Sequence, residues 1–182
     1  MPASIYRRRS IRIKDFDYTQ PGSYFITICT CHKNLIFGEI NQGEVVLSKL
    51  GEIARKEIER LPHRFSSIAM DGFVVMPNHI HILITISADA IARIHSSNEA
   101  FELPVSGSIP TIVRSYKAAV TQRILALRDS PVSEVWHRNY YERVVRNEKE
   151  REKIFLYIIA NPAQWNSDEE NPAGKSKGEE HG

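Results

Sequence analysis

Two spacings of apolar residues alternate along the chain, and the changes between them predict the order of its elements. Stretches 22–30, 67–76 and 79–87 are rich in β-branched and aromatic residues, which predicts three strands. Between the first two of these strands, apolar residues recur at spacings of three and four, which predicts an amphipathic helix that ends at Pro62. The apolar stripe of this helix is Leu47, Leu50, Ile53, Ala54, Ile58 and Leu61.

Helix and strand patterns continue to alternate in the second half of the chain. Residues 108–127 predict a helix with Pro110 in its first turn, residues 135–147 predict a fourth strand, and residues 148–161 predict a last helix. Residues 88–107 have only a weak pattern, so we predict a loop insertion there.

The order strand, helix, strand, strand, helix, strand, helix predicts an α+β fold. This order matches a ferredoxin-like, split βαβ sandwich, also called RRM-like, with one extra helix. In such a sandwich, the helices are predicted to pack on one face of an antiparallel sheet. We expect a basic N-terminal arm over residues 1–20, one folded domain over residues 21–165, and a disordered tail over residues 166–182.

Composition excludes several classes of protein. The chain has 182 residues, a hydrophobic fraction of 42% and a formal net charge of +2, as in an ordinary globular domain. No apolar run approaches the roughly 20 residues that span a bilayer, and the N-terminal stretch is not that of a signal peptide. We therefore expect a cytoplasmic protein that has no contact with membranes.

The two cysteines, Cys29 and Cys31, are predicted to be reduced thiols, since next-but-one neighbours form a disulfide only with strain. A zinc site formed with His32 is one alternative. On a strand, however, the two thiols share one face and the imidazole points to the other, so ordinary strand residues are favoured.

Positive charge is concentrated at the N-terminus. The first fourteen residues contain five basic side chains and no acidic one. The five are Arg7, Arg8, Arg9, Arg12 and Lys14. On composition alone, this arm could bind phosphates or could serve only as a solvated segment.

The stretch VVMPNHIHILITIS, residues 74–87, places two histidines in an otherwise aliphatic strand. Side chains alternate between the faces of a strand, so His79 and His81 share one face, opposite a row of isoleucines. Two adjacent imidazoles can chelate a metal ion, and a third ligand would leave open positions, as in a catalytic site. The simpler interpretation is a pair of polar residues on a half-exposed sheet face.

The last helix offers partners for the histidines. Tyr157 and Asn161 lie four residues apart, hence on the same side of that helix. Asn161 could offer a carbonyl oxygen to a hard cation, and Tyr157 could act as a covalent nucleophile beside it. An aromatic side chain at the edge of the core is the alternative for Tyr157.

Four stretches, in this order, resemble one family, the single-tyrosine HUH transposases in their REP-associated branch. They are RIKDFDYTQPGSYFITICTCHKNLIFGEI, MPNHIHILI, IPTIVRSYKAAVTQRI and YYERVVRNEKEREKIFLYIIANPAQW. The resemblance covers about residues 9–165, so the folded domain resembles the catalytic domain of these enzymes.

The resemblance implies an enzyme that cuts and joins single-stranded DNA, often beside a REP-like hairpin, through a 5′-phosphotyrosine intermediate. It implies Tyr157 as nucleophile, His79, His81 and Asn161 as ligands of Mg²⁺ or Mn²⁺, and either a monomer or a homodimer. Single-stranded DNA binds basic grooves, so we predict cationic DNA contacts. The candidates are Arg7, Arg8, Arg9, Arg12, Lys117, Arg143 and Arg146.

Three alternatives stay open. Tyr140 and Tyr141 are rival nucleophiles on the fourth strand, although neither has an Asn or Gln one helical turn away. A histidine-based nucleotide phosphodiesterase would need further histidine motifs that this strand lacks. A non-catalytic RRM-like nucleic-acid-binding protein would expect aromatic residues on the central strands, where this chain has histidines.

Overall fold

The structure, a computed structural model of the chain, describes residues 20–88, 107–127 and 134–173. The strands are β1 (Gly22–Cys29), β2 (Gly38–Asn41), β3 (Glu44–Leu47), β4 (Ile68–Val75), β5 (His79–Ile86) and β6 (Tyr141–Val145). The α-helices are α1 (Lys49–Glu59), α2 (Leu61–Arg64), α3 (Ile109–Leu125) and α4 (Glu148–Ala160). Two 3-10 helices, Cys31–Lys33 and Pro162–Ser167, follow β1 and α4.

Four strands form one antiparallel sheet in the order β4-β5-β1-β6. Because β1 lies between β5 and β6, the two βαβ units interleave, as expected of the split βαβ arrangement. The α+β fold class predicted from the sequence is therefore confirmed. Met76, Pro77 and Asn78 connect β4 to β5, which pair as the predicted hairpin.

One face of the sheet, here called the isoleucine face, is covered by α1 and α3. Ile80, Ile82, Ile84 and Ile86 of β5 are each at most 2% exposed there. Burying a side chain of this size contributes about 1.5–3 kcal/mol, so this cluster provides the main apolar stabilisation of the domain. The residues of α1 and α3 that belong to the same cluster are Leu50, Ala54, Ile58, Ile109, Ile112, Val113, Tyr116, Val120 and Ile124.

The opposite face, here called the histidine face, is covered by α4. Ile154 and Ile158 of this helix pack with Leu83 and Val145 in a separate, smaller apolar cluster. The predicted packing of helices on one face thus applies to α1 and α3, whereas the last helix lies on the other face. This position allows α4 to reach the two histidines.

Two contacts bring α4 close to β4. Arg151 of α4 pairs with Asp71, at a register shift in β4, with 2.8 Å between Nη2 and Oδ1. Gly72 lies against Phe155, and a Cβ atom at this position would be only 3.1 Å from the phenyl ring. The absence of a side chain at Gly72 therefore permits the close approach of the helix.

A small hairpin was not predicted from the sequence, and one helix end was misplaced. Strands β2 and β3 form a separate two-stranded sheet, and Leu47, assigned to the helix, is the last residue of β3. The helix breaks at Arg60 instead of Pro62, and Pro62 lies in the first turn of α2. Proline is tolerated there because the amide group that it lacks would have no helical partner.

Residues 166–173, predicted to begin a disordered tail, are instead part of the folded structure. Asn171 is 5% exposed, and its side-chain amide donates to the carbonyl of Trp165 at 2.9 Å. The predicted N-terminal arm up to residue 19, the insertion over residues 89–106 and the tail from residue 174 lie outside the described residues. Within the described part of the chain, no helix has the length and apolar character needed to cross a membrane.

Candidate functional site

The histidine pair lies at the start of β5, in the middle of the sheet. His79 and His81 are opposite Cys29 and Thr27 of β1, and their side chains are 0% and 4% exposed, respectively. Imidazoles buried this deeply need partners, because an unsatisfied polar group is costly inside a protein.

Asn78 fixes the protonation of the His79 ring. Its amide nitrogen donates to the carbonyl oxygens of Glu170 at 2.7 Å and Lys33 at 3.3 Å, so its oxygen faces Nδ1 of His79 at 2.9 Å. Since an amide oxygen only accepts, Nδ1 carries the proton and Nε2 presents a lone pair. Such an outer hydrogen bond is typical of histidines that bind metals.

The two Nε2 atoms of His79 and His81 lie 3.1 Å apart. Because Nε2 of His79 can only accept, this short separation requires either a proton on Nε2 of His81 or a cation that both nitrogens share. The hydroxyl of Thr27, 2.9 Å from Nδ1 of His81, can accept or donate and is therefore compatible with both states.

Burial lowers the pKa of both imidazoles. For His81, the neighbouring His79 acts in the same direction, whereas Asp168 and Glu170 partly oppose the shift at His79. Both rings are therefore neutral at pH 7, which is the state in which imidazole binds metal ions.

Tyr157 extends from α4 towards the histidines. Its hydroxyl lies 3.3 Å from Nε2 of His81, and the two ring centroids are 5.2 Å apart. Phe25 stacks on the His81 ring at 5.1 Å and meets the Tyr157 ring edge-on at 6.1 Å. The tyrosine side remains open to solvent, since Tyr157 is 40% exposed.

The phenol of Tyr157 keeps its proton in the protein without a cation. Burial raises its pKa to about 12, and the nearby carboxylates Asp168, Glu169 and Glu170 act in the same direction. Attack by this oxygen therefore requires a nearby positive charge or a proton acceptor.

Asp168 completes a cluster of potential metal ligands and was not among the residues predicted from the sequence. Ligand atoms of His79, His81 and Asp168 all lie within 4.8 Å of one another. The carboxylate is 3% exposed, with Oδ2 4.0 Å from Nε2 of His79. The signal available in the sequence was the acidic stretch 168–170, directly after the last helix, but its position depends on the intervening 3-10 helix.

Asn161, the predicted third ligand, lies beside this cluster. Its amide nitrogen donates to Oδ2 of Asp168 at 2.7 Å, so it orients the carboxylate. Its oxygen is buried and meets no donor at hydrogen-bonding geometry among residues 20–88, 107–127 and 134–173. An unsatisfied buried oxygen beside a buried carboxylate is what a bound cation would compensate.

These residues fit a divalent cation. Two neutral imidazole nitrogens, the carboxylate of Asp168 and the amide oxygen of Asn161 provide nitrogen and oxygen donors of the kinds that metal ions bind in proteins. Because Asn78 keeps the proton of His79 on Nδ1, the lone pair on Nε2 is available to a metal ion, and Nε2 lies 3.1 Å from Nε2 of His81.

The three predicted DNA-contacting residues that the structure describes, Lys117, Arg143 and Arg146, lie in two different places. Arg7, Arg8, Arg9 and Arg12 lie outside the described residues. Lys117 donates to the backbone carbonyls of residues 137–139 at 2.8–3.4 Å, so its ammonium group takes part in the packing of α3.

Arg143 and Arg146 lie close to α4. The guanidinium of Arg143 pairs with Glu150 and is 54% exposed, and the backbone amide of Arg146 donates to the same carboxylate at 2.8 Å. Through its pairing with Phe25, Arg143 lies on the histidine face, in the row that also contains Tyr141.

Of the rival tyrosines, Tyr140 packs against the apolar cluster of the isoleucine face. Tyr141 lies on the histidine face, opposite Thr27, and is 44% exposed. Tyr157, by contrast, has its hydroxyl 3.3 Å from Nε2 of His81, a histidine of the cluster.

The fold and the site define an α+β protein in which a histidine pair, a carboxylate and a tyrosine meet on one face of an antiparallel sheet. A Haemophilus influenzae protein, described only as uncharacterized, is 39% identical over 172 residues, which cover 92% of this chain and 94% of that protein. The chain belongs to the same family as this protein. No family model matches the chain.

A solved structure, that of a REP-associated tyrosine transposase bound to a REP hairpin, is similar in fold. The TM-score is 0.52 at 17% sequence identity, and the match covers 79% of this chain and 67% of that chain. At this level of identity, the similarity shows the shared fold.

Proposed function

We propose that this protein is a metal-dependent single-stranded DNA endonuclease and strand transferase of the REP-associated tyrosine transposase type. The observation that carries the proposal is the approach of the Tyr157 hydroxyl to within 3.3 Å of His81, beside the ligand cluster of His79, His81 and Asp168. A tyrosine nucleophile next to a candidate cation site is an arrangement suited to covalent, metal-assisted cleavage of a phosphodiester.

In the proposed reaction, the Tyr157 oxygen attacks the scissile phosphorus. A bond forms between this oxygen and phosphorus, the bond from phosphorus to the 3′ oxygen breaks, and the phenol proton passes through solvent to the departing 3′ oxygen. The products are a 5′-phosphotyrosine and a free 3′-hydroxyl. Since the bond energy is retained in the phosphotyrosine, a 3′-hydroxyl can reverse the reaction and join two strands without a nucleotide cofactor.

Protein groups prepare this attack. Helix α4 is fixed by Asn147, whose side chain accepts from the amide of Glu150 at 2.9 Å, and by the burial of Ile154 and Ile158. A nucleophile held in this way has little freedom to lose in the transition state. When bound, Mg²⁺ or Mn²⁺ would supply positive charge to the phosphate oxygens and lower the cost of forming a phenolate.

The proposed substrate is single-stranded DNA, with a REP-like hairpin as the flanking element. The transposase of similar fold was solved with a REP hairpin bound, which supports this choice of element. Arg143 and Arg146 are the proposed backbone contacts within the described residues, and the arginines of the N-terminal arm are proposed as further ones. Tyr157 reaches the histidines of its own chain, so the proposed reaction needs no exchange of helices in a dimer.

The test is formation of a covalent adduct between the protein and labelled single-stranded oligonucleotides with flanking hairpins, in the presence of Mn²⁺. Tyr157→Phe should abolish the adduct. Tyr141→Phe is the matched control, because Tyr141 lies on the same face and is 44% exposed, against 40% for Tyr157. An undiminished adduct in Tyr157→Phe would refute the assignment, and DNA binding without any metal-dependent adduct would favour the non-catalytic RRM-like alternative.

A further inference from the structure

A second cluster of potential metal ligands lies outside the proposed active site, at the end of β1. It consists of Cys31, His32 and Glu134, whose ligand atoms all lie within 4.8 Å of one another. The thiol of Cys31 is buried and donates to the carboxylate of Glu134 at 3.2 Å, whereas His32 and Glu134 are exposed.

The backbone explains why this cluster was not predicted from the sequence. On a continuous strand, Cys31 and His32 would point to opposite faces. In the structure β1 ends at Cys29, and residues Cys31–Lys33 form a 3-10 helix in which His32 has φ 53° and ψ 20°. This left-handed conformation is uncommon for a residue other than glycine, and it turns the chain so that both side chains can meet Glu134.

The two segments that carry the cluster are held together by backbone contacts. The amide of Cys31 donates to the carbonyl of Val135 at 3.0 Å, and the amide of His137 donates to the carbonyl of Cys29 at 2.9 Å. The separation of Cys31 from Glu134 is therefore fixed by the backbone and does not depend on flexible side chains alone. A site that is fixed before the ligand arrives loses little entropy on binding.

From this arrangement, we propose that Cys31, His32 and Glu134 form a zinc-binding site distinct from the active site. Sulfur, imidazole nitrogen and carboxylate oxygen are the three donor types that Zn²⁺ takes in proteins, and three protein ligands leave one position for water. A thiol among the ligands selects a softer ion than the Mg²⁺ or Mn²⁺ proposed for the histidine face. On binding, the sulfur–zinc bond forms as the thiol proton is released to solvent.

The site is tested with Co²⁺ as a spectroscopic substitute for Zn²⁺ on the full-length, chemically reduced protein. A thiolate bound to Co²⁺ produces a charge-transfer absorption in the near ultraviolet, which a site of histidines and carboxylates does not produce. We expect this absorption in the wild-type protein, and we expect added Zn²⁺ to remove it by displacing Co²⁺.

Cys31→Ser should abolish the absorption. His32→Ala should weaken Co²⁺ binding by about tenfold or more, because even the loss of a residue that only supports a metal ligand typically costs that much. Cys29→Ser is the matched control and should retain the absorption, because the thiol of Cys29 faces Glu170 at 3.6 Å, away from the cluster. Circular dichroism of each variant establishes that it is folded.

A His79→Ala, His81→Ala double variant separates this inference from the proposed function. We expect it to retain the thiolate absorption while losing adduct formation. Absence of the absorption in the wild-type protein, or its persistence in Cys31→Ser, would contradict the zinc site without affecting the proposed transposase activity.

Discussion

Strand β5 contributes side chains to both faces of the sheet, and the two rows of side chains differ in character. On the isoleucine face, β5 contributes four isoleucines to a large apolar cluster that α1 and α3 cover. On the histidine face, the alternate residues include His79 and His81, and the apolar cluster that α4 forms with the sheet has four buried members among the described residues. The difference indicates that the apolar face stabilises the sheet enough for the other face to contain buried polar groups, which are costly to bury.

Among the changes that compare the two faces of the sheet, removing one imidazole from the histidine face has the largest expected effect. His81→Ala should reduce metal-dependent adduct formation about a thousandfold, because it removes a proposed cation ligand that supports several kcal/mol of transition-state stabilisation. Initial rates of adduct formation with Mn²⁺ measure this effect. Ile82→Val is the control on the opposite face and should react at nearly the wild-type rate; equal losses in both variants would remove the functional distinction between the faces.

The second prediction concerns stability. Ile82→Ala should lower the free energy of unfolding by about 2–5 kcal/mol, because it opens a cavity in the large apolar cluster. Leu83 is the next residue along the strand and is also buried. For Leu83→Ala, we expect a decrease in the free energy of unfolding near the lower end of this range, because the apolar cluster around Leu83 is smaller. Urea unfolding of both variants tests this order, and a clearly larger loss for Leu83→Ala would reverse the roles given to the two faces.

The third prediction concerns the outer hydrogen bond to His81. Thr27→Val replaces the hydroxyl 2.9 Å from Nδ1 with a methyl group of similar size, so we expect about tenfold weaker Mn²⁺ binding with little change in fold. Thr27→Ser keeps a hydroxyl and should restore the affinity. Titration calorimetry measures both constants, and unchanged affinity in Thr27→Val would show that the ring needs no such support.

The smallest expected effect is a dependence of stability on pH in the presence of a chelator. Burial holds the pKa of His81 well below its usual value of 6.5 in the folded protein. The unfolded chain therefore takes up a proton first as the pH falls below 6.5, and the folded protein loses stability over that range. The urea concentration at the unfolding midpoint should therefore decrease when the pH is lowered from above to below 6.5, and this decrease should be smaller in His81→Ala than in the wild-type protein. Identical decreases in the two proteins would exclude His81 as a source of the pH dependence.

Local patterns were sufficient for most of the fold. Alternation in residues 79–86 placed the histidines and isoleucines on opposite faces, and the four-residue spacing of Tyr157 and Asn161 placed both on one side of the last helix. Gly43 and its neighbour Gln42, both with positive φ, form the turn between β2 and β3. The dipeptide Gln-Gly indicates such a turn. The hairpin was not predicted because Leu47, at the end of β3, also fits the apolar spacing of the following helix.

The sequence by itself determined which side chains share a face, because the periods of strands and helices are properties of the backbone. Only the tertiary structure decided which faces meet. Asp168 joins the histidines because a 3-10 helix turns the chain back after α4, and Cys31 meets Glu134 across more than a hundred residues because two backbone hydrogen bonds hold their segments together. Such contacts between distant segments depend on packing of the whole domain, which no local pattern encodes.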